Sequence, residues 1–495
     1  ACAEPRRACR NVPGSPGYPQ AATWNAFNAT ISGRLVSAVP SAKFCADRLG
    51  GCTDAEWSSA LFRNTIPGAM ISGDVPLYSV EVQTVTDIQA AVKFASRHNL
   101  RVAIKSSGHD SSGRSTTAPQ SLLIHTNKLS SISGVHMNDL YQQGKANGRI
   151  TVGATAATVC AAGGYAPAFG LGADNVLEFH IVVASGELLQ VNSVSNSDLF
   201  YALRGGGAGS WGVIVSASFR TFPTFNSTRA LITLSATDNT AMAALATLHA
   251  KHIFDLDATR SGGYFYLHRD PTTTASSMTL ESFLINQTVA QSEAILAPFL
   301  TAAQALPNIT IASSTYTSAL INDLLFIADD NGGNNLVGGS RLIPAATYRN
   351  SPETVGKVYQ QLLDSGAQAW VINFFCQVAD NAHIDSAVTP AWRTAKTHII
   401  LSNQWLDSIP LDQIDAARSR FKRIQLPILE QLSGPNAGSY SNEADVMEAD
   451  FQTTFYGPNY RKLSAIKSKY DPNDLFIVTT GVGSERWDEW GLCLV

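Results

Sequence analysis

The sequence predicts an α+β protein built as two lobes, and three observations carry that expectation. At 495 residues the chain exceeds what one hydrophobic core usually organises, so two cores are expected. Up to about residue 225, short strand-like runs alternate with helical ones. From about 226 to 435, helices such as AMAALATLHA and AILAPFLTAAQAL sit beside longer, aromatic, alternating strand candidates such as GGYFYLHRD and AWVINFFCQVA. These shifts divide the chain into a loop-rich, cysteine-bearing arm (1–60), a mixed lobe (61–225), a second lobe whose strands suit an antiparallel sheet covered by helices (226–435), and a turn-rich C-terminal portion (436–495) ending in a helical YRKLSAIKSKYDPNDLF.

Composition narrows the class. Apolar residues make up 45% and charged ones 15%, with 35 Lys+Arg against 39 Asp+Glu for a net charge of −4, which excludes disorder and collagen. No apolar stretch reaches the roughly 18–20 residues of a membrane span, and no basic block points to nucleic acid. The chain opens Ala1-Cys2-Ala3-Glu4-Pro5, so either it is not exported or a leader has been removed. Export is favoured by four Asn-x-Ser/Thr acceptors, at Asn28, Asn226, Asn286 and Asn308, and by Cys45 and Cys52, close enough to close a small loop. Cys2, Cys9 and Cys493 lie near the termini and are further candidates for pairing; seven cysteines leave at least one outside intramolecular disulfides.

Along the mixed lobe, Thr84 and Asp87 have the spacing of a capping box, and Ile88, Ala91, Val92 and Ala95 then form one apolar helical face. Strands are expected at Arg101–Ile104, LLIH (122–125), ITVGA (150–154), FHIVVA (179–184), ELLQV (187–191) and VIVSASF (213–219), with a helix over SDLFYALR (197–204).

Among motifs, GAGSWG (207–212) matches G-x-G-x-x-G, yet a helix precedes the glycines and a strand comes after them, the reverse of a dinucleotide turn. Close backbone approach to a neighbour or a cofactor explains these glycines better. The run IKSSGHDSSGRST (104–116) is more informative. A strand end breaks into Ser106, Ser107 and Gly108, whose N–H groups could converge on an anion, with His109 inside the nest; the alternative is a surface turn. No His or Cys spacing suits a metal and no G-x-S-x-G elbow occurs, so neither a zinc site nor a serine hydrolase is expected. Cys160 reads either as a reactive thiol or as a small packed residue.

Taken together, IKSSGHDSSG, GLGADNVLEFHIVVASGELL (170–189), SDLFYALRGGGAGSWGVIVSASFRTFP (197–223) and GSYSNEADVMEADFQTTFYGPNYRKLSAIKSKYDPNDLF (438–476) resemble, in family order, the berberine-bridge-enzyme-like branch of the vanillyl-alcohol-oxidase flavoproteins. The resemblance implies a split FAD domain, formed by the N-terminal portion and the C-terminal sixty residues, with a substrate domain inserted between. It implies that His109 bonds covalently to the flavin, with Lys105, Ser106, Ser107, Gly108 and Asp110 around the pyrophosphate. Asp174, Asn175, Val176, Gly206, Gly207 and Gly212 would lie along the cofactor, and Tyr440 and Asn442 beside the isoalloxazine. Many relatives add a cysteinyl link, but their cysteine falls several residues before Cys160, nearer Ala156, so Cys160 stays open as a second attachment. Two stretches, around 155–165 and before APAFGLGADN, are shorter than the family pattern.

The function so implied is a secreted FAD oxidase that passes a hydride from an alcohol, sugar or secondary-metabolite C–H to flavin and then to O₂, giving hydrogen peroxide. Tyr440 is expected to remove the proton or orient the substrate, with Glu443 and Asp445 as less favoured bases. The substrate wall is expected on Tyr264, Tyr266 and His268, which share a face by period two, and on Asn373, Phe375 and Gln377. The alternative left open is a secreted binding or structural protein that keeps the fold without its flavin.

Overall fold

The computed structural model describes residues 9–65, 69–70, 75–110, 112–129, 135–154, 156–159, 169–270, 273–329, 335–374, 378–406, 408–434 and 437–495. A four-stranded sheet runs Leu35–Ser37, Tyr78–Glu81, Leu122–His125, Val102–Lys105, antiparallel at its first pair and parallel thereafter. A three-stranded antiparallel sheet joins Val213–Phe219, Val176–Val182 and Leu188–Asn192. The second lobe is a seven-stranded antiparallel sheet in the order Ile309–Leu320, Asn226–Ala236, Ser276–Ile285, Gly262–Arg269, Ala369–Phe374, Ala395–Trp405, Asn335–Pro344.

Local chemistry sets these elements. The helix Val85–Arg97 starts where Thr84 and Asp87 make the reciprocal capping box, and it buries Ile88, Ala91, Val92 and Ala95. Helices Asn239–His252 and Pro352–Asp364 cover one face of the large sheet, burying Met242, Leu245, Val358 and Leu362 against Phe265, Leu267 and Trp370. The strands at 122–125 and 213–219 fall where expected. Others shift: ITVGA contracts to Arg149–Thr151, paired with Thr221–Pro223, and FHIVVA moves to Val176–Val182, because pairing partners rather than the apolar run set strand ends. The C-terminal helix ends at Tyr470, two residues before Pro472, and the chain then runs through turns to its end, interrupted by the short 3₁₀ helix Ser484–Arg486.

The N-terminal arm is more ordered than its composition suggests. Its helix Ala21–Thr30 inserts Trp24 and Phe27 into the core of the first lobe, Phe27 stacking on Phe94 with centroids 4.2 Å apart. Disulfides Cys9–Cys493 and Cys45–Cys52 close the arm onto the C-terminus and onto itself. That first-lobe core also takes Leu475 and Phe476, and a neighbouring core joins Phe179 and Trp211 to Phe455 and Leu463, so the C-terminal segment completes the N-terminal half.

The tie between them is Lys467. Fully buried, its ammonium donates to the carbonyls of Ser210 and Phe476 at 2.7 Å each and pairs with the equally buried Asp471 at 2.5 Å. It thereby anchors the glycine-rich turn before the Val213–Phe219 strand. Lys467→Met should lower stability by about 3–5 kcal/mol, because Asp471 is left charged in the interior. Adding Asp471→Asn should recover part of that loss, both read from denaturant unfolding midpoints; equal midpoints for the single variant and wild type would remove Lys467 from this role.

Candidate functional site

The Val102–Lys105 strand ends at the loop 106–110, and the turn depends on Gly108 at φ +86°, where a Cβ would come within 2.9 Å of Lys105 Cε. Among the described residues, no group accepts from the N–H of Ser107 or Gly108, which leaves two donors available to an anion. The Lys105 side chain lies against Gly108 and is buried near Glu81 and His125, where desolvation pulls its ammonium down to about 8 against the attraction of Glu81. His109 is hydrogen-bonded through Nε2 to Thr158 Oγ1. Asp110 takes the buried Arg114 guanidinium at 2.7 and 3.1 Å. Asn442, from the C-terminal segment, donates to the His109 carbonyl at 3.3 Å and lies 3.5 Å from the same guanidinium.

This loop forms one end of a cavity of about 700 Å³, lined there by Ser106, Ser107, Gly108, His109, Asp110 and Arg114, a size typical of small-molecule sites. Its flank is the turn at Leu171–Val176 and the glycine run, of which Gly172, Ala173, Val176, Gly207 and Gly212 line the space. Gly205, at φ +117°, packs so closely that a Cβ would sit 2.3 Å from the Val388 nitrogen.

Three residues expected along this flank stand behind the wall. The Asp174 carboxylate accepts from Leu171 N–H at 3.0 Å and pairs with Arg393 at 2.6 Å, and Asn175 donates to the carbonyls of Phe169 and Leu171 at 3.0 and 3.1 Å. Gly206 donates to the Ala202 carbonyl and accepts from the Trp211 indole. All three fix the shape of the wall without lining it.

The other end is built on the large sheet. Tyr264, Asn373 and His398 lie side by side across three neighbouring strands and all face the cavity. Asn373 Nδ2 and His398 Nδ1 are 3.3 Å apart, Trp392 and Tyr440 meet the His398 ring edge-on or tilted at 5.6 and 6.0 Å, and Glu443 Oε2 comes 3.6 Å from His398 Nδ1. Burial drives His398 down to about 3, so it is neutral, and drives the Glu443 carboxyl up to about 7. Burial, reinforced by Glu443, raises the Tyr440 hydroxyl well above its ordinary range. A third of the Glu443 side chain is open, but onto the cavity it lines.

Tyr266 does not reach this end: it shares Tyr264's face, its ring stacking at 5.9 Å, but its hydroxyl is spent on Glu281 at 3.1 Å. His268 is likewise outside the lining, and Asp445 caps the Met447 N–H. Cys160, Phe375 and Gln377 lie outside the described residues. Thr158, Arg114, Trp392 and His398 were not anticipated. A lone histidine in the apolar strand AKTHIIL was the one available signal, and nothing local links it to Glu443.

Known proteins resemble this chain in sequence and fold. Residues 76–192 match the FAD binding domain family and residues 439–483 the berberine and berberine-like family. An uncharacterized FAD-linked oxidoreductase of Arthroderma benhamiae is 32% identical, covering 98% of this chain and 95% of its own. The chain belongs to this family of berberine-bridge-like FAD-linked oxidoreductases. Two VAO-type flavoproteins of Myceliophthora thermophila C1 share the fold with TM-scores of 0.86, at 26% and 25% identity, covering 98% and 99% of this chain and all of theirs. The A. benhamiae alignment extends over 580 positions against 495 residues here, so that FAD-linked oxidoreductase carries residues at many positions where this chain has none. As an FAD-linked oxidoreductase, the protein must hold FAD, and the unaccepted N–H groups and the glycine wall fit that group.

The Asn442 bridge gives a test. Asn442→Ala removes bonds worth about 1 kcal/mol, so the unfolding midpoint should barely move while bound flavin per protein falls, measured by absorbance after purification. Arg114→Ala should cost about 3–5 kcal/mol, since Asp110 loses its buried partner.

Proposed function

We propose that this FAD-linked oxidoreductase is a secreted oxidase of small molecules, with FAD held along the cavity and joined covalently through His109. The observation that carries the reading is the polarity of one continuous cavity: unaccepted backbone donors at one end, apolar and glycine walls between, and a compact polar cluster at the other. Ser106, Ser107, Gly108 and Asp110 would hold the pyrophosphate, Val176, Gly207 and Gly212 would lie along the cofactor, and Lys105, Asp174, Asn175 and Gly206 would support them from behind. In this division, residues 61–225 and 436–495 serve FAD and 226–435 serve substrate. Bound there, FAD supplies two-electron oxidation by accepting a hydride from a substrate carbon, with O₂ as the final acceptor.

The chain does the rest. Thr158 fixes the His109 ring through Nε2, which sets the orientation a covalent link requires. Tyr440 stays protonated and therefore acts as a hydrogen-bond donor that orients substrate, not as the base. Tyr264, Asn373 and Trp392 form the substrate wall. The cavity and the loop 106–110 at its end are both formed, which weighs against a binding protein that has lost its flavin.

Export is supported by the two disulfides and by the surface positions of Asn226, Asn286 and Asn308. Asn28 accepts from Leu35 N–H at 3.0 Å and is poorly placed for a glycan. Peptide mass spectrometry of protein from a secreting host should find glycans at the exposed Asn226 and Asn286, and less at Asn28 and at Asn308, whose Nδ2 donates to Asp238 at 3.2 Å.

The covalent link predicts that acid-precipitated wild-type protein stays yellow, whereas His109→Ala releases its flavin to the supernatant. Wild-type flavin found wholly in the supernatant would refute attachment. A peroxide-release screen over alcohols, oligosaccharides, phenolics and alkaloids tests the oxidase reading; turnover with an artificial acceptor but without peroxide would make it a dehydrogenase.

A further inference from the structure

The sheet end of the cavity carries two polar atoms that the protein leaves unsatisfied. Among the described residues, His398 Nε2 and Asn373 Oδ1 are buried without a hydrogen-bond partner, on side chains 1% and 5% exposed that both line the cavity. Such atoms are costly to keep unless a ligand pairs with them. Their contact with each other fixes what they offer. If the Asn373 amide donates to His398 Nδ1, the ring presents Nε2–H and the amide presents its oxygen. If the amide is turned, Nδ1–H donates to that oxygen, and Nε2 accepts while the NH₂ donates. Either way one donor and one acceptor remain, the complement of a hydroxyl or amine.

Charge sharpens the specificity. Tyr264, Val371, Asn373, Trp392, His398, Ile400, and Tyr440 surround a single ionisable acid, Glu443, and no lysine or arginine lines this end among the described residues. The guanidinium of Arg114, which acts on Tyr440 electrostatically, is already engaged by Asp110 at 2.7 Å. A carboxylate or phosphate on the substrate would therefore face Glu443 without a counter-cation.

We infer that Asn373 and His398 bind the reacting hydroxyl or amine of a neutral or cationic ring-bearing substrate, that Glu443 accepts its proton, and that the same carboxylate excludes anionic substrates. This rests on the proposed flavin oxidase and adds to it the substrate class and the base. The proton step balances on the chain: the substrate O–H or N–H bond breaks, an O–H bond forms on a Glu443 oxygen, and that proton leaves to solvent before the next turnover. The groups around Glu443 hold their charge near neutrality: His398 is neutral, Tyr440 protonated, and Arg114 paired with Asp110. Among the described residues, His109 and Tyr264 are the remaining titratable groups that line the cavity.

The test is calorimetric titration of the holoenzyme with phenol, benzylamine and benzoate, at pH about 5.5 and about 8.5, on either side of the Glu443 transition near 7. Phenol should bind at both. Benzoate should bind at least about tenfold more weakly at the higher pH, where Glu443 is ionised, and benzylamine more tightly. In Glu443→Gln, close in shape, the benzoate difference should collapse to about twofold or less; pH dependence that persists unchanged comes from another group and overturns the assignment. Asn373→Ala and His398→Gln should each weaken phenol about fivefold or more. With a neutral alcohol found by the peroxide screen, Glu443→Gln should lower kcat/KM by about 100-fold or more, and its activity should no longer fall below pH 7. Benzoate binding equally at both pH values in wild type, or phenol binding unchanged in both Asn373 and His398 variants, would overturn the inference. Because calorimetry reads binding without colour, colourless protein would refute the flavin reading separately.

Discussion

A void of about 700 Å³ between packed cores must be held open by walls that neither collapse into it nor carry unpaired charge. Three buried ion pairs near the site answer that demand. The guanidinium of Arg114 is neutralised by Asp110, the carboxylate of Asp174 by Arg393, and the ammonium of Lys467 by Asp471, each pair behind or beside the wall. Members of each pair also brace backbone directly: Asp110 accepts from the Arg114 N–H, Asp174 holds the turn at Leu171, Lys467 holds the carbonyl of Ser210, and Asp471 accepts from the N–H groups of Leu475 and Phe476. Paired ions of this kind add little net stability, yet they are expensive to break, which suits a frame that must keep one shape.

How much of this the sequence reveals depends on how local the physics is. The capping box at Thr84 and Asp87 is a contact three residues apart, and it reads correctly from spacing alone. The VIVSASF strand and the loop beginning at Ser106 are equally local, one fixed by alternation and the other by a strand end that gives way to small residues. Motif identity is a weaker guide to direction. Asp174 and Asn175 belong to a conspicuous segment, but Asp174 finds its partner 219 residues away and turns from the cavity to meet it. No spacing within GLGADN encodes that turn.

The large sheet shows the same limit in another form. Period two places Tyr264 and Tyr266 on one face, and they do share it. It says nothing about where along the strand the cavity ends: the two-residue step, roughly 6.6 Å, takes Tyr266 out of the lining, and its hydroxyl reaches back to Glu281, which lies opposite Tyr264. His398 escapes sequence reasoning for the converse reason. Its significance comes from cross-strand register with Asn373 and from approach of Glu443 out of a different part of the chain, and neither contact leaves a trace in AKTHIIL.

The two cavity ends differ in a way that stems from their backbones. At the strand end after Lys105 the chain is irregular, so N–H groups point into space and the recognising elements are main-chain donors, indifferent to side-chain identity. On the sheet every central backbone group is already paired within the ladder, so recognition there must come from side chains. A cofactor common to a family therefore suits the first end, where substitution has little to change. The second end, where Asn373, His398 and Glu443 can each be exchanged without disturbing the ladder, is the part of this fold on which substrate choice can vary.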